Sequence, residues 1–194
     1  MSESWDEKRD QLIEVAINVI GRFGIKKTAL DDIAKAAGMA TPSLYYYFPN
    51  KNELVRAALS SVTTSLIAEV EQVVSSSANP VTKLLEAWRI PFSSAKRSGL
   101  LVNLDAMTKS EVLHFTQDLV ESFHSKYTAL IRRILEQGRS EGIFEIKDLE
   151  VASTAFSVGF MGLLFNTAGK AQFDLVYQRI DELAELLITG LRKR

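Results

Sequence analysis

Residues 28–51 read TALDDIAKAAGMATPSLYYYFPNK, and the fold is decided there. Thr28 opens a helix-start signal, with a hydroxyl to cap free amides and Asp31 in the first turn. Leu30, Ile33, Ala34 and Ala37 then fall on one helical side, and Gly38 stops the run. After Gly38-Met39-Ala40 a second helix is predicted over 41–48. Thr41 is its expected cap and Pro42 its first helical residue, where a missing N–H costs nothing. Pro49 breaks it. Asn50-Lys51-Asn52-Glu53 is a further capping signal, opening a long helix to about Val74. Two short helices across a glycine turn form the helix-turn-helix pattern, whose second helix lies in the DNA major groove. Short helices with a glycine turn also occur in bundles that never meet DNA.

Upstream, Leu12, Val15, Ala16, Val19, Ile20 and Phe23 make one apolar helical face ending at Gly24. Downstream everything reads as helix. Val81 to Lys96 is one segment, bent or broken at Pro91. Gly99 to Thr108 is short and apolar, Glu111 to Glu141 is long, Leu149 to Thr167 is apolar nearly all round, and Phe173 to Leu191 is amphipathic. Few segments alternate at period two, so no strands are expected. The predicted class is all-α: a three-helix DNA-binding domain over residues 1–50, then a larger helical effector-binding and dimerisation domain over 51–194.

The 194 residues are 46% hydrophobic and 24% charged, which suits a folded chain of one or two domains. The absence of cysteine excludes disulfides, thiol nucleophiles and cysteine-zinc sites, and fits a reducing cytoplasm. No run is long and apolar enough for a membrane span, and the charged start lacks a signal-peptide core. Net charge is −1, yet residues 20–60 hold six bases (Arg22, Lys26, Lys27, Lys35, Lys51, Arg56) against three acids (Asp31, Asp32, Glu53). A locally basic head on a near-neutral body suits a nucleic-acid reader, and equally an ordinary solvated surface.

Gly24, Thr28, Ile33-Ala34, Ala37-Gly38-Met39, Leu44-Tyr45-Tyr46-Tyr47-Phe48, Lys51 and Leu54 together closely resemble the DNA-binding domain of the tetracycline-repressor (TetR) family. The likeness covers roughly residues 8–58. It implies that Thr41, Pro42, Ser43 and Tyr46 face base edges. Hydroxyls would donate or accept there, and the proline ring or threonine methyl would meet thymine methyls. It implies that Thr28 and Lys51 hold phosphates at helix starts, and that Tyr45 and Tyr47 reach phosphates or pack under the helix. Three departures bear on affinity. Ala40 stands where a capping serine is common, Ala29 replaces a frequent hydroxyl, and Asp31 and Asp32 sit where a base is often found.

The resemblance further implies a homodimer on a palindromic double-stranded DNA operator, with recognition helices about 34–36 Å apart. It also implies a small, largely apolar effector that releases the DNA. Ala155, Phe156, Gly159, Gly162 and Leu163, with Leu183 and Leu187 of the last helix, are candidate dimer contacts, although a helix apolar all round also suits a monomer core. Trp88, Phe92, Met107, Phe115, Phe123, Tyr127 and Phe160 are candidate effector walls, with Asn103, His114 and Gln117 as polar groups. Aromatics at helical spacing read as plain core too. No cofactor and no catalytic residue is expected. Glu111-x-x-His114 and Glu121-x-x-His124 carry the spacing of di-iron bundles, but both fall on one predicted helix, about 15 Å apart along its axis. A mononuclear metal site near His114 stays open as a second reading, and a helical interaction module with a degenerate reader as a third.

Overall fold

The computed structural model describes residues 4–100, 102, 106–166 and 169–192, with backbone alone at 106–107, 165–166 and 169. Among the described residues the chain is all-α, with nine helices and no strand; a single isolated bridge joins Phe144 to Arg192. Contacts divide it into two compact units. The first is Met1–Thr63 with Ala95–Gln117, and the second is Thr64–Ser94 with Asp118–Arg194.

In the first unit, α1 (Trp5–Phe23) begins with a capping box. Ser4 Oγ accepts from the Glu7 amide, and the Glu7 carboxylate accepts from the Ser4 amide at 2.8 Å. Gly24, at φ 87°, ends the helix by donating to the Ile20 carbonyl. The buried stripe is Leu12, Ile13, Ala16 and Ile20. Phe23 is exposed instead, its ring under the Arg22 guanidinium. α2 (Leu30–Ala36) and α3 (Thr41–Tyr47) follow, then α4 (Lys51–Ser75), where the Asn50 side chain accepts from the Glu53 amide as expected. Leu30, Ile33, Leu44, Phe48, Leu54 and Ala58 close one core with the α1 stripe.

Both expected caps around the helix-turn-helix are corrected. Thr28 is buried, 2% exposed, and its hydroxyl donates back to the Gly24 carbonyl. Ala29 caps α2, with the Asp32 carboxylate accepting from its amide; alanine has no oxygen to return the bond. Ala40 caps α3, so Thr41 is the first helical residue and Pro42 the second.

α5 (Pro80–Ser98) is helical straight through Pro91, where a bend or break was expected. Proline has no N–H for the carbonyl four residues back, and that carbonyl is Ala87's. The buried Tyr127 phenol donates to it at 2.9 Å, in the second unit. Burial also pushes the phenol's pKa well up, so it stays a donor. Tyr127→Phe therefore strands a buried acceptor. It should cost about 1–3 kcal/mol in urea unfolding, and a change under 0.5 kcal/mol (~) would show that Ala87 finds another partner.

The helix expected over 99–108 lies partly outside the described residues. Gly99, at φ 66°, terminates α5, and α6 (Ala106–Ser140) already includes 106–108. α6 is interrupted at Thr116 (φ −128°, ψ 15°), whose hydroxyl donates to the Val112 carbonyl at 2.7 Å. The Phe115 carbonyl beside the break accepts from Arg56 on α4 at 2.8 Å. α7 (Leu149–Asn166) matches its expected extent as far as the described residues go. The single helix expected over 173–191 is two, α8 (Gly169–Gln178) and α9 (Ile180–Thr189), divided at Arg179 (φ −112°, ψ 11°). In the second unit the buried Lys83 ammonium donates to the Val74 carbonyl, in the last turn of α4, and to Gln137.

Candidate nucleic-acid interface

α3 is amphipathic over two turns. Leu44 and the capping Phe48 are sunk in the core, and Arg9 stacks over the Phe48 ring. This anchoring turns Pro42, Ser43, Tyr45 and Tyr46 to solvent. Tyr46 is 75% exposed, a costly display for an aromatic ring unless a partner covers it. Tyr47 is the inward member of the three tyrosines. It is half-buried and stacks on Trp5 at 5.6 Å, with Tyr46 edge-on at 5.4 Å. Trp5 gave no signal in the sequence.

Gly38 makes the turn between α2 and α3, with φ 66° and nothing within 4 Å of where a Cβ would stand. Asp31 spans the two helices. Its carboxylate accepts from the Thr41 hydroxyl at 2.5 Å and pairs with Lys35 at 2.6 Å. The Lys35 and Thr41 hydrogen bonds hold its pKa below the usual carboxylate value. The acid that stood where a base is common is therefore neutralised locally, and it fixes the start of α3. The Thr41 hydroxyl is already spent on this bond. Lys51, the first residue of α4, is partly buried; that desolvation lowers its pKa, while Asp32 favours the charged form. It makes no ion pair or hydrogen bond among the described residues.

Residues 12–58 match the family model of bacterial regulatory proteins, tetR family. Those residues resemble the DNA-binding domain of the TetR family. The chain is 27% identical to the transcriptional repressor KstR2 of Mycolicibacterium smegmatis, over 74% of its own length and 70% of that protein. It is 28% identical to a probable transcriptional regulator, ArpR, of Pseudomonas putida, over 82% and 81% of the two chains. A crystal structure of a transcriptional regulator from Cytophaga hutchinsonii superposes with a TM-score of 0.79 at 18% identity, covering 95% of this chain and 98% of that one, which shows the same fold. The helix-turn-helix is thus similar to that of bacterial regulatory proteins.

Of the candidate effector residues, five lie in the second unit. Tyr127 and Phe160 meet at 5.0 Å, Phe92 and Phe160 at 5.6 Å, and Phe123 and Tyr127 at 5.7 Å, while Trp88 abuts Phe156 at 5.8 Å. Phe173, not among the candidate effector walls, joins through Phe92 at 6.1 Å. Trp88 is 1% exposed and its indole N–H has no acceptor among the described residues. His114, Phe115 and Gln117 belong to the first unit. Asn103 and the Met107 side chain lie outside the described residues.

The candidate dimer residues also separate. Phe156 is buried in its own subunit and Gly159 faces Trp88, so both point inward, and Gly162, Leu163 and Leu183 are half-buried. Outward are Ala155 and Leu187, together with Val151, Val158 and Leu186. Val151, Ala155 and Val158 recur at helical spacing along α7, a signal the uniform apolarity of that helix concealed. Among the described residues no three His, Cys, Asp or Glu side chains gather as a metal site needs, and no helix is long and apolar enough to cross a membrane.

Proposed function

We propose that the chain is a cytoplasmic, ligand-responsive repressor that binds a palindromic operator as a homodimer and is released by a small, largely apolar effector. Residues 1–50 read DNA, and 51–194 bind effector and dimerise, with no cofactor and no catalytic step. The observation that carries this reading is the outward face of α3, with Pro42, Ser43, Tyr45 and Tyr46 presented by buried Leu44 and Phe48. Pro42, Ser43 and Tyr46 meet base edges. Tyr45 and Lys51 hold phosphates and set register. Thr41 acts through its bond to Asp31, and Thr28 and Tyr47 act as supports for the two helices. Named relatives described as transcriptional repressors support the direction of regulation. The effector lies against Trp88, Phe92, Phe123, Tyr127 and Phe160, and accepts a hydrogen bond from the orphaned Trp88 indole.

Selection of bound fragments from genomic DNA, followed by titration of the recovered site, tests the reading. Tyr46→Ala should weaken the selected site by about 10–100-fold and flatten its sequence preference. Lys51→Ala should weaken all sequences alike and reduce the salt slope by about one. Recovery of no duplex, or equal binding by both variants and wild type, ends the proposal.

A further inference from the structure

The first unit carries a groove of about 730 Å³ that shares only Lys51 with the proposed DNA-reading residues. Ile25, Val112 and Phe115 form an apolar wall, and Lys26 and Lys51 bring ammonium groups to it. The Lys26 charge is only loosely met by Glu111, at 3.7 Å. Lys51 has no hydrogen bond or ion pair among the described residues, although it is partly buried at the first turn of a 25-residue helix. A partly desolvated cation with no counter-charge in contact, beside an apolar wall and a helix start that favours anions, is complementary to one ligand chemistry.

We propose that this groove binds a small amphipathic carboxylate, its apolar body against Ile25, Val112 and Phe115 and its carboxylate on Lys51. The site is distinct from the aromatic cluster of the second unit. The binding stands on the groove alone. Its consequence for DNA rests on the reading of Lys51 as a phosphate contact: carboxylate and phosphate then compete for one ammonium, so the ligand releases operator directly.

Octanoate is the probe, titrated calorimetrically into the full chain without DNA, with octanol and acetate as companions. Octanoate should saturate below about 10 mM, whereas octanol, lacking the charge, and acetate, lacking the body, should not. Lys51→Gln should weaken it at least about tenfold. Ser110→Trp, which fills the groove from an exposed position, should abolish it in a variant shown to be folded by circular dichroism. Trp88→Phe, in the other unit, should leave it unchanged. Absence of saturation, equal binding of octanol, full affinity in Lys51→Gln or Ser110→Trp, or a loss confined to Trp88→Phe each overturns the site. If octanoate binds as described yet leaves selected DNA bound, the groove stands and the phosphate role of Lys51 falls.

Discussion

Leu186→Glu should convert the protein to a monomer in sedimentation and lower operator affinity by about 10²–10⁴-fold. Leu186 is 72% exposed on α9, so the substitution disturbs nothing in its own subunit's core. Val158 on α7, 54% exposed, is the companion position, and Val158→Glu should act in the same direction. The size of the effect follows from geometry. One recognition helix of seven residues touches a few base pairs, and two helices on one rigid dimer make the second contact intramolecular. A charge at the centre of an apolar contact costs far more than the contact's own area supplies, because the carboxylate loses water and gains no partner. The thermal midpoint of the isolated subunit should barely move, which distinguishes lost association from misfolding. A variant that stays dimeric, or a monomer that binds the selected site as tightly as wild type, contradicts the proposed assembly.

On the proposed dimer an effector need form no contact with DNA. Both heads would have to fit the duplex at once, so a small shift in their separation would remove most of the affinity. α4, α5 and α6 each run from one compact unit into the other. The break in α6 at Thr116 falls next to that division, and the carbonyl beside it is held by Arg56 of α4. A ligand that alters how α6 bends has a covalent route to the reading unit, and a polar contact on α4 once it arrives.

What could be read in the sequence depended on how local its physics was. α1 to α4 announced themselves through Gly24, Gly38, Pro42, Pro49 and Asn50, residues whose backbone preferences act within one turn. The pattern of buried positions followed, because Leu44 and Phe48 have nowhere else to go. Errors arose where a partner outside the helix itself decides. Thr28 looked like a cap until the Gly24 carbonyl took its hydroxyl. Pro91 looked like a break, and Tyr127, 36 positions later in the chain, removes the reason for one. The outward face of α7 was blurred because a helix apolar on every side gives no periodic signal, and only its packing against Trp88 tells the inward residues from the outward ones. The candidate effector residues were legible as a composition of aromatics, but not as a set, since nothing local separates Phe115 in one unit from Phe123 in the other.

Gly21→Ala should destabilise the first unit by about 3 kcal/mol or more. No sequence signal marks Gly21, which sits inside α1 where alanine is the better helix former by about 1 kcal/mol. Its role is a close crossing with the end of α5. A Cβ at Gly21 would overlap the Ser98 carbonyl oxygen and stand 3.0 Å from its carbon, and a Cβ at Gly99 would lie 2.5 Å from the Gly21 carbonyl oxygen. Each obstacle is backbone, so no rotamer change relieves it, and the two segments must part. Parting them also disturbs Leu100, which is buried in the same core as Leu44 and Phe48, so operator binding should fall with stability. Gly24→Ala is the matched comparison. Its φ of 87° strains alanine, but no atom lies within 4 Å of the new Cβ, so its cost should stay near about 1–2 kcal/mol. Urea midpoints of the two variants measure the difference. If Gly21→Ala unfolds with wild-type stability, α1 and the end of α5 are not in contact, and the core that holds the reading helix must be closed in some other way.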